Sequence, residues 1–274
     1  MWNQDHLRLI SSFSKEARQL RVYFDEQFKD PRQTHVRRFV WDYWNVPGEY
    51  NLIRTPAYEY FPDRLYKKFH SSLRDWGRET LGCHDVSPPW LSFYIDGCYQ
   101  AQHQDQPHGP WAFVYSLTNW KQRRFTGGET MLYGDRKQLV TPQFNQLTVF
   151  NPAIPHGVAK VRGIRDPREA RLAIHGWFLN PRPFIRGKLK TQSLENEILE
   201  LGQWLKQSRV TAQGWSVQKF TVGTNGKVSG LKPLWTRLES SDQKFLSDLH
   251  SRMKKWDFGR QVGSSLVTLP LGFG

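Results

Sequence analysis

The sequence predicts a β-rich domain buttressed by amino-terminal helices and followed by a small α+β domain. Three observations lead there. Apolar residues recur at helical spacing as far as Trp76, then change from Trp90 onward to short runs punctuated by Gly, Pro and Asn. A stretch broken by two prolines, 180–188, cannot continue a central strand and reads as a linker.

Leu7, Ile10, Phe13, Ala17, Leu20, Phe24 and Phe28 follow helical spacing and predict a first amphipathic helix. Leu65, Phe69, Leu73 and Trp76 predict a second, with Pro62 suited to its first turn. The runs 90–95, 98–102, 111–117, 129–133, 147–151, 156–161 and 171–179 read as strands of a barrel or sandwich. Beyond the linker, Leu194, Ile198, Leu201 and Leu205 form a helical stripe, and 215–222 is a strand closed by the hairpin signal Asn225-Gly226. Phe245, Leu249, Met253 and Trp256 give a last helix, and 265–271 a closing strand. The expected domains are therefore 1–182 and 190–274, with no internal repeat between them.

Composition narrows the function classes. The 274 residues are 38% apolar, 14% aromatic and 23% charged, which excludes a disordered chain. No apolar run reaches the roughly 18 residues of a membrane span. The amino terminus has no basic flank ahead of an apolar stretch, so a soluble, cytoplasmic protein is expected. Cys83 and Cys98 are too few for a disulfide framework or a Cys-rich zinc module. The net charge of +14 asks for an anionic partner, but it is spread out. Residues 186–274 carry fourteen Lys and Arg against seven Asp and Glu, a net +7, which leaves +7 for the first 185. Charge without a basic tail does not select nucleic acid, lipid or an acidic small molecule.

Chemistry concentrates in the β-rich part. In Ala101-Gln-His103-Gln-Asp105 the two titratable residues are two apart and would share one face of a strand. Among nine His, about one His-x-Asp/Glu pair is expected by chance. His156 strengthens the reading because it opens a later strand, after a run 147–150 that could lie beside it. Two His and a carboxylate with open positions suit Fe(II) in oxygen activation. Arg171-Leu-Ala-Ile-His175-Gly-Trp177 alternates, so Arg171, Ala173, His175 and Trp177 share a face. An inward guanidinium needs a partner, and its planar fork matches a dicarboxylate ligand. His175 reads as a pocket or core residue, His108 as a surface one, and Cys98 carries no assigned chemistry. Arg165 and Arg168 sit in turn-like sequence.

The ordered set Tyr94, His103-x-Asp105, Phe125-Thr-Gly127-Gly128-Glu129-Thr, Pro155-His156-Gly-Val and Arg171 resembles the prolyl 4-hydroxylase-like branch of the Fe(II)/2-oxoglutarate-dependent oxygenases over about residues 90–179. The resemblance implies a double-stranded β-helix, or jelly roll, with Fe(II), 2-oxoglutarate and O2 as cofactor and cosubstrates. It implies that His103, Asp105 and His156 bind iron, that Arg171 pairs with the far carboxylate of 2-oxoglutarate, and that Tyr94 hydrogen-bonds the cosubstrate. Arg171 follows His156 at a longer interval than is usual in the family; a longer hairpin through 162–170 accounts for it. Asp105 favours hydroxylation, because related halogenases carry a smaller residue there. The implied reaction hydroxylates a C–H bond and converts 2-oxoglutarate to succinate and CO2. The substrate would be a protein or peptide side chain, prolyl first, or else a small molecule or saccharide.

Nucleic-acid demethylases of the AlkB type carry paired arginines in the last strand, where this chain has Arg171 and His175, so no specific nucleic acid is expected. The last 85 residues more faintly resemble the C-terminal domain of TonB and related gliding-motility proteins, in Phe220-Thr-Val-Gly-Thr-Asn-Gly226, Met253-Lys-Lys-Trp256 and Val267-Thr-Leu-Pro270. That implies a protein-contact role for 190–274; a purely structural extension, or a non-catalytic interaction protein, are the alternatives.

Overall fold

The computed structural model describes residues 6–10, 14–29, 38–134, 136–208, 212–240 and 244–274. In chain order they form β1 (His6–Ile10), α1 (Ser14–Glu26), β2 (Asp42–Val46), β3 (Tyr50–Pro56), α2 (Ala57–Tyr60), α3 (Asp63–Leu81), β4 (Cys83–Val86), β5 (Trp90–Tyr94), β6 (Tyr99–His103) and β7 (Trp111–Ser116). Then come β8 (Thr130–Tyr133), β9 (Lys137–Val140), β10 (Gln146–Phe150), β11 (His156–Val158), β12 (Arg171–Pro181), β13 (Phe184–Arg186), α4 (Thr191–Ser208), β14 (Ala212–Val222), β15 (Val228–Ser240), α5 (Phe245–Met253) and β16 (Ser265–Phe273). Contacts divide the chain into two compact units, Met1–Asp75 with Asp85–Leu179, and Trp76–His84 with Asn180–Gly274.

The first unit is mainly β, a curled antiparallel sheet of the double-stranded β-helix type, in the order β1-β10-β7-β12-β5-β3-β6-β11-β8-β9 with β2 on β3. Its central strands are buried on both faces, which is why they read as continuous apolar runs. Opposed residues share a face. Arg54, Ser92 and Ala173 therefore make one row across β3, β5 and β12, with Tyr94 opposite Arg171 beside it. The intervening row, Ile53, Phe93 and Leu172, belongs to the other face. There Phe93 meets Phe24 of α1 at 6.0 Å between ring centroids, and Phe69 of α3 meets Tyr115 of β7 at 5.1 Å. Helices thus cover one face of the sheet and leave the other to a cavity.

Several expectations need correction. The stripe beginning at Leu7 is not one helix: β1 pairs with β10, and α1 starts only at Ser14. His-Leu-Arg-Leu-Ile alternates with period two, and pairing with β10 prevails over the helical spacing. Phe13 lies outside the described residues, and Phe28 follows α1 in a turn while packing on Phe24 at 5.1 Å. The hairpin β2–β3, strand β4 and strand β9 were not anticipated. The stretch 180–188 is not simply a linker, because β12 continues to Pro181 and β13 lies at a sheet edge, where flanking prolines are tolerated.

The second unit is a four-stranded antiparallel sheet in the order β13-β16-β14-β15 with α4 and α5. Leu194 and Leu201 of α4, Leu249 and Met253 of α5, and Phe220, Val267 and Leu269 of the sheet share one core. Residues 76–84 are tied into it by the Thr268 hydroxyl, which donates to the Glu79 carbonyl at 2.8 Å, and by an ion pair of Arg186 with Glu79.

Candidate metal centre

His103 is the last residue of β6, and Asp105 lies beyond it in a turn, so the two do not share a strand face as the spacing predicted. The turn brings them together instead. The Asp105 amide donates to the Pro152 carbonyl, and the Asp105 carbonyl accepts from the His108 amide. His156 opens β11, which pairs with β6 so that His156 stands opposite His103. The run 147–150 does not pair with the strand that His156 opens: as β10 it pairs with β1 and β7, while β11 pairs with β6 and β8.

Asp105 Oδ1 is 3.5 Å from His103 Nε2, and Asp105 Oδ2 is 3.3 Å from His156 Nε2. The donor atoms of the three residues all lie within 4.8 Å of one another. Each imidazole is fixed from behind: His103 Nδ1 is 2.9 Å from the Ala101 carbonyl and His156 Nδ1 is 2.8 Å from the Ile154 carbonyl. A carbonyl oxygen only accepts, so each Nδ1 carries a proton and each Nε2 is the nitrogen turned toward the centre, where it can share a proton with Asp105 or bind a metal ion. Outer hydrogen bonds of this kind orient histidine ligands in metal sites. Ligands about 2.1 Å from one ion at right angles would be about 3.0 Å apart, and the two His–Asp separations, 3.5 and 3.3 Å, are close to that spacing.

The electrostatics point the same way. Burial alone would raise the Asp105 pKa, but hydrogen bonds with His103 and His156 outweigh it and hold the carboxyl well below the usual range. Burial would lower that of His103, yet Asp105 and the Ala101 carbonyl raise it above the ordinary value. The cluster therefore concentrates negative charge against two imidazoles, a preference that a cation satisfies as well as a proton does.

The same cavity is lined by Tyr94, Thr130, Arg171 and His175. Arg171 is 2% exposed; its Nε donates to the Gly128 carbonyl at 2.8 Å and an Nη to Thr130 Oγ1 at 3.3 Å. Its guanidinium carbon is 4.5 Å from the centre of the Tyr94 ring. No carboxylate among the described residues forms an ion pair with it, and burial lowers its pKa. Burial also pushes the Tyr94 phenol up, against the pull of Arg171. A buried cation with neutral partners and remaining N–H groups suits a carboxylate ligand. Gly127 and Gly128, at φ +76° and +84°, form the turn that supplies the accepting carbonyl; a Cβ at Gly127 would collide with the Lys160 carbonyl.

His175 Nε2 lies 2.8 Å from Ser92 Oγ on the cavity wall. His108 is exposed and lies against Trp177, with ring centroids 4.6 Å apart and planes inclined at 37°. Cys98 is buried in one core cluster with Tyr94, and Arg168 pairs with Asp166 in its turn. Sequence reasoning missed Arg54, Trp90 and Gln100 as lining residues. The Val46-Pro-Gly-Glu turn was the available signal for the hairpin that brings in Arg54. Gln100 Nε2 lies 3.2 Å from His103 Nε2.

Residues 90–179 match the model of the 2OG-Fe(II) oxygenase superfamily. Among curated proteins no match is found. Of solved structures, a Pseudomonas putida prolyl-4-hydroxylase is 14% identical with a TM-score of 0.47, the match covering 65% of this chain and 94% of that one. A Burkholderia pseudomallei oxidoreductase of the 2OG-Fe(II) oxygenase family is 14% identical with a TM-score of 0.45, covering 62% and 83%. A Trichoplax adhaerens prolyl hydroxylase, in complex with a hypoxia inducible factor peptide fragment, is 19% identical with a TM-score of 0.43, covering 65% and 84%.

Proposed function

We propose that this chain, whose residues 90–179 form a 2OG-Fe(II) oxygenase domain, hydroxylates an unactivated C–H bond on a protein or peptide side chain, with a prolyl ring the first candidate. The enzyme class is 2-oxoglutarate-dependent dioxygenase, and its cofactors are Fe(II), 2-oxoglutarate and O2. Bound iron supplies the activation of O2 that couples hydroxylation to conversion of 2-oxoglutarate into succinate and CO2.

In this reading His103, Asp105 and His156 hold the iron, and their carbonyl-anchored imidazoles keep its ligand positions fixed. Arg171 holds the far carboxylate of 2-oxoglutarate in bidentate fashion, with Thr130 and the Gly128 carbonyl fixing the fork. Tyr94 hydrogen-bonds the same cosubstrate. The observation that carries the proposal is one cavity containing both a His–His–carboxylate cluster with open directions and a buried guanidinium without a counter-charge.

The test supplies the full chain with Fe(II), 2-oxoglutarate and O2 and follows succinate with and without prolyl peptides. His103→Ala and Asp105→Ala abolish turnover. Arg171→Ala raises the 2-oxoglutarate concentration needed by at least about tenfold, the scale of a lost charged pair. Full turnover in either iron-ligand variant rejects the assignment.

A further inference from the structure

Arg54 of β3 is a second cation on the cavity wall, and its setting differs from that of Arg171. Its guanidinium carbon lies 3.0 Å from the centre of the Trp44 ring and 3.9 Å from that of Trp90. Trp44 comes from β2 and Trp90 from β5, the strands on either side of β3, and each stands diagonally across from Arg54. The guanidinium thus lies between two indoles, whose planes are inclined at 54° to one another. Contact with the rings covers the cation but accepts none of its in-plane N–H groups, and no hydrogen bond to them is formed among the described residues. Arg54 Nε is buried and has no hydrogen-bond partner.

The groups around it do not fill that need. Asp42, opposite Arg54 in register, and the Tyr50 and Tyr94 hydroxyls act on its charge from a distance, and none of them forms an ion pair or hydrogen bond with it among the described residues. Trp44 is 37% exposed, so the clamp has aromatic surface on its outer side. Arg54, Trp90, His103, Asp105 and His156 all line the same cavity.

We propose that Arg54, clamped by Trp44 and Trp90, binds a carboxylate of the substrate, so that the preferred substrate is an acidic peptide with Asp or Glu close to the hydroxylated residue. This rests on the oxygenase reading above and narrows its substrate class. The fork offers two parallel N–H donors to one carboxylate, and the indoles hold the guanidinium in place before binding, which reduces the ordering cost of the contact. The distributed positive charge of the chain favours the same class of ligand. Arg54 here is a specificity-determining residue, with no part in the chemistry itself.

The experiment uses the full chain with Fe(II) and 2-oxoglutarate under anaerobic conditions, and fluorescently labelled peptides with one proline and a single Glu at each flanking position, each matched by a Gln version. Anisotropy reads peptide affinity; the visible charge-transfer absorption of the iron–2-oxoglutarate complex reads loading in the same samples. At one or more flanking positions the Glu peptide binds about tenfold tighter than its Gln partner, as a charge-assisted pair predicts. Arg54→Gln removes the difference, and Arg54→Lys keeps only part of it, because an ammonium neither stacks nor forks. Trp44→Leu, at a rim position, narrows the difference too and serves if Arg54→Gln does not fold. Equal affinities of all Glu and Gln partners for the wild type overturn the proposal. So does a preference that survives Arg54→Gln, or an Arg54→Gln effect confined to the 2-oxoglutarate concentration needed for the absorption. A wild type without that absorption rejects the oxygenase reading, while the peptide preference still decides the clamp on its own.

Discussion

His175 faces the same cavity as two arginines, and its protonation is governed by where it sits. Burial, and secondarily the Arg171 charge, push its pKa down to about 3, while Asp105 opposes and Arg54 and His103 add to the shift. Above the ordinary imidazole value of about 6.5 neither the folded nor the unfolded state holds the proton, so nothing is lost. On acidification from there toward 3 only the unfolded chain takes it up, and stability falls by up to about 1.4 kcal/mol per pH unit. His175→Gln removes the titrating group and keeps a hydrogen-bonding side chain near Ser92. Urea midpoints between pH 7 and 5 should therefore fall less steeply in the variant, and parallel slopes would reject a neutral buried His175. Residue-scale legibility was uneven for a related reason. His103, Asp105, His156 and Arg171 were visible because each sits within a short ordered pattern, although the pair in His103-x-Asp105 meets through a turn rather than along a strand. Arg54 was invisible because its partners, Trp44 and Trp90, come from two other strands.

At the scale of elements, the turn ahead of β8 links backbone conformation to the site. Gly127 and Gly128 both take positive φ, and the Gly128 carbonyl receives the Arg171 Nε–H. Gly127→Ala places a Cβ against the Lys160 carbonyl in a left-handed conformation, and should cost about 1–3 kcal/mol. If the turn does position Arg171, the variant also needs more 2-oxoglutarate for half-maximal turnover. A stability loss with an unchanged requirement would make the turn structural only. Phe69→Ala, which removes a fully buried ring packed against Tyr115, should cost about 3–5 kcal/mol by denaturant unfolding without changing metal ligation. The elements that sequence pattern reads well are those with a regular period over many residues, such as α3 and β12. β1 was misread because five alternating residues ahead of a real helix can continue its spacing by chance, and only the pairing with β10 reveals the strand.

For the whole molecule, the order of units along the chain is not a simple sequence of two. Residues 76–84 belong with 180–274, although they continue α3 directly from residues of the first unit. Within the second unit they are held by Thr268 and Arg186 at Glu79, by the Arg182 amide at the Gly82 carbonyl, and by the Pro183 carbonyl at His84. A chain cut after residue 182 loses nearly all these partners while keeping the segment that used them. Cys83 reports the consequence, because it is fully buried and burial pushes its thiol pKa up, which makes it inert in the intact chain. Cys98, buried in the first unit, is the internal control. Thiol alkylation mapped by mass spectrometry should leave both cysteines protected in the full chain. In the 1–182 chain Cys83 should label rapidly while Cys98 stays protected. Equal protection of Cys83 in both chains would mean that residues 76–84 keep their packing without the carboxyl-terminal unit. Labelling of both cysteines would mean that the first unit cannot fold alone, and that the oxygenase domain depends on the whole chain for its stability.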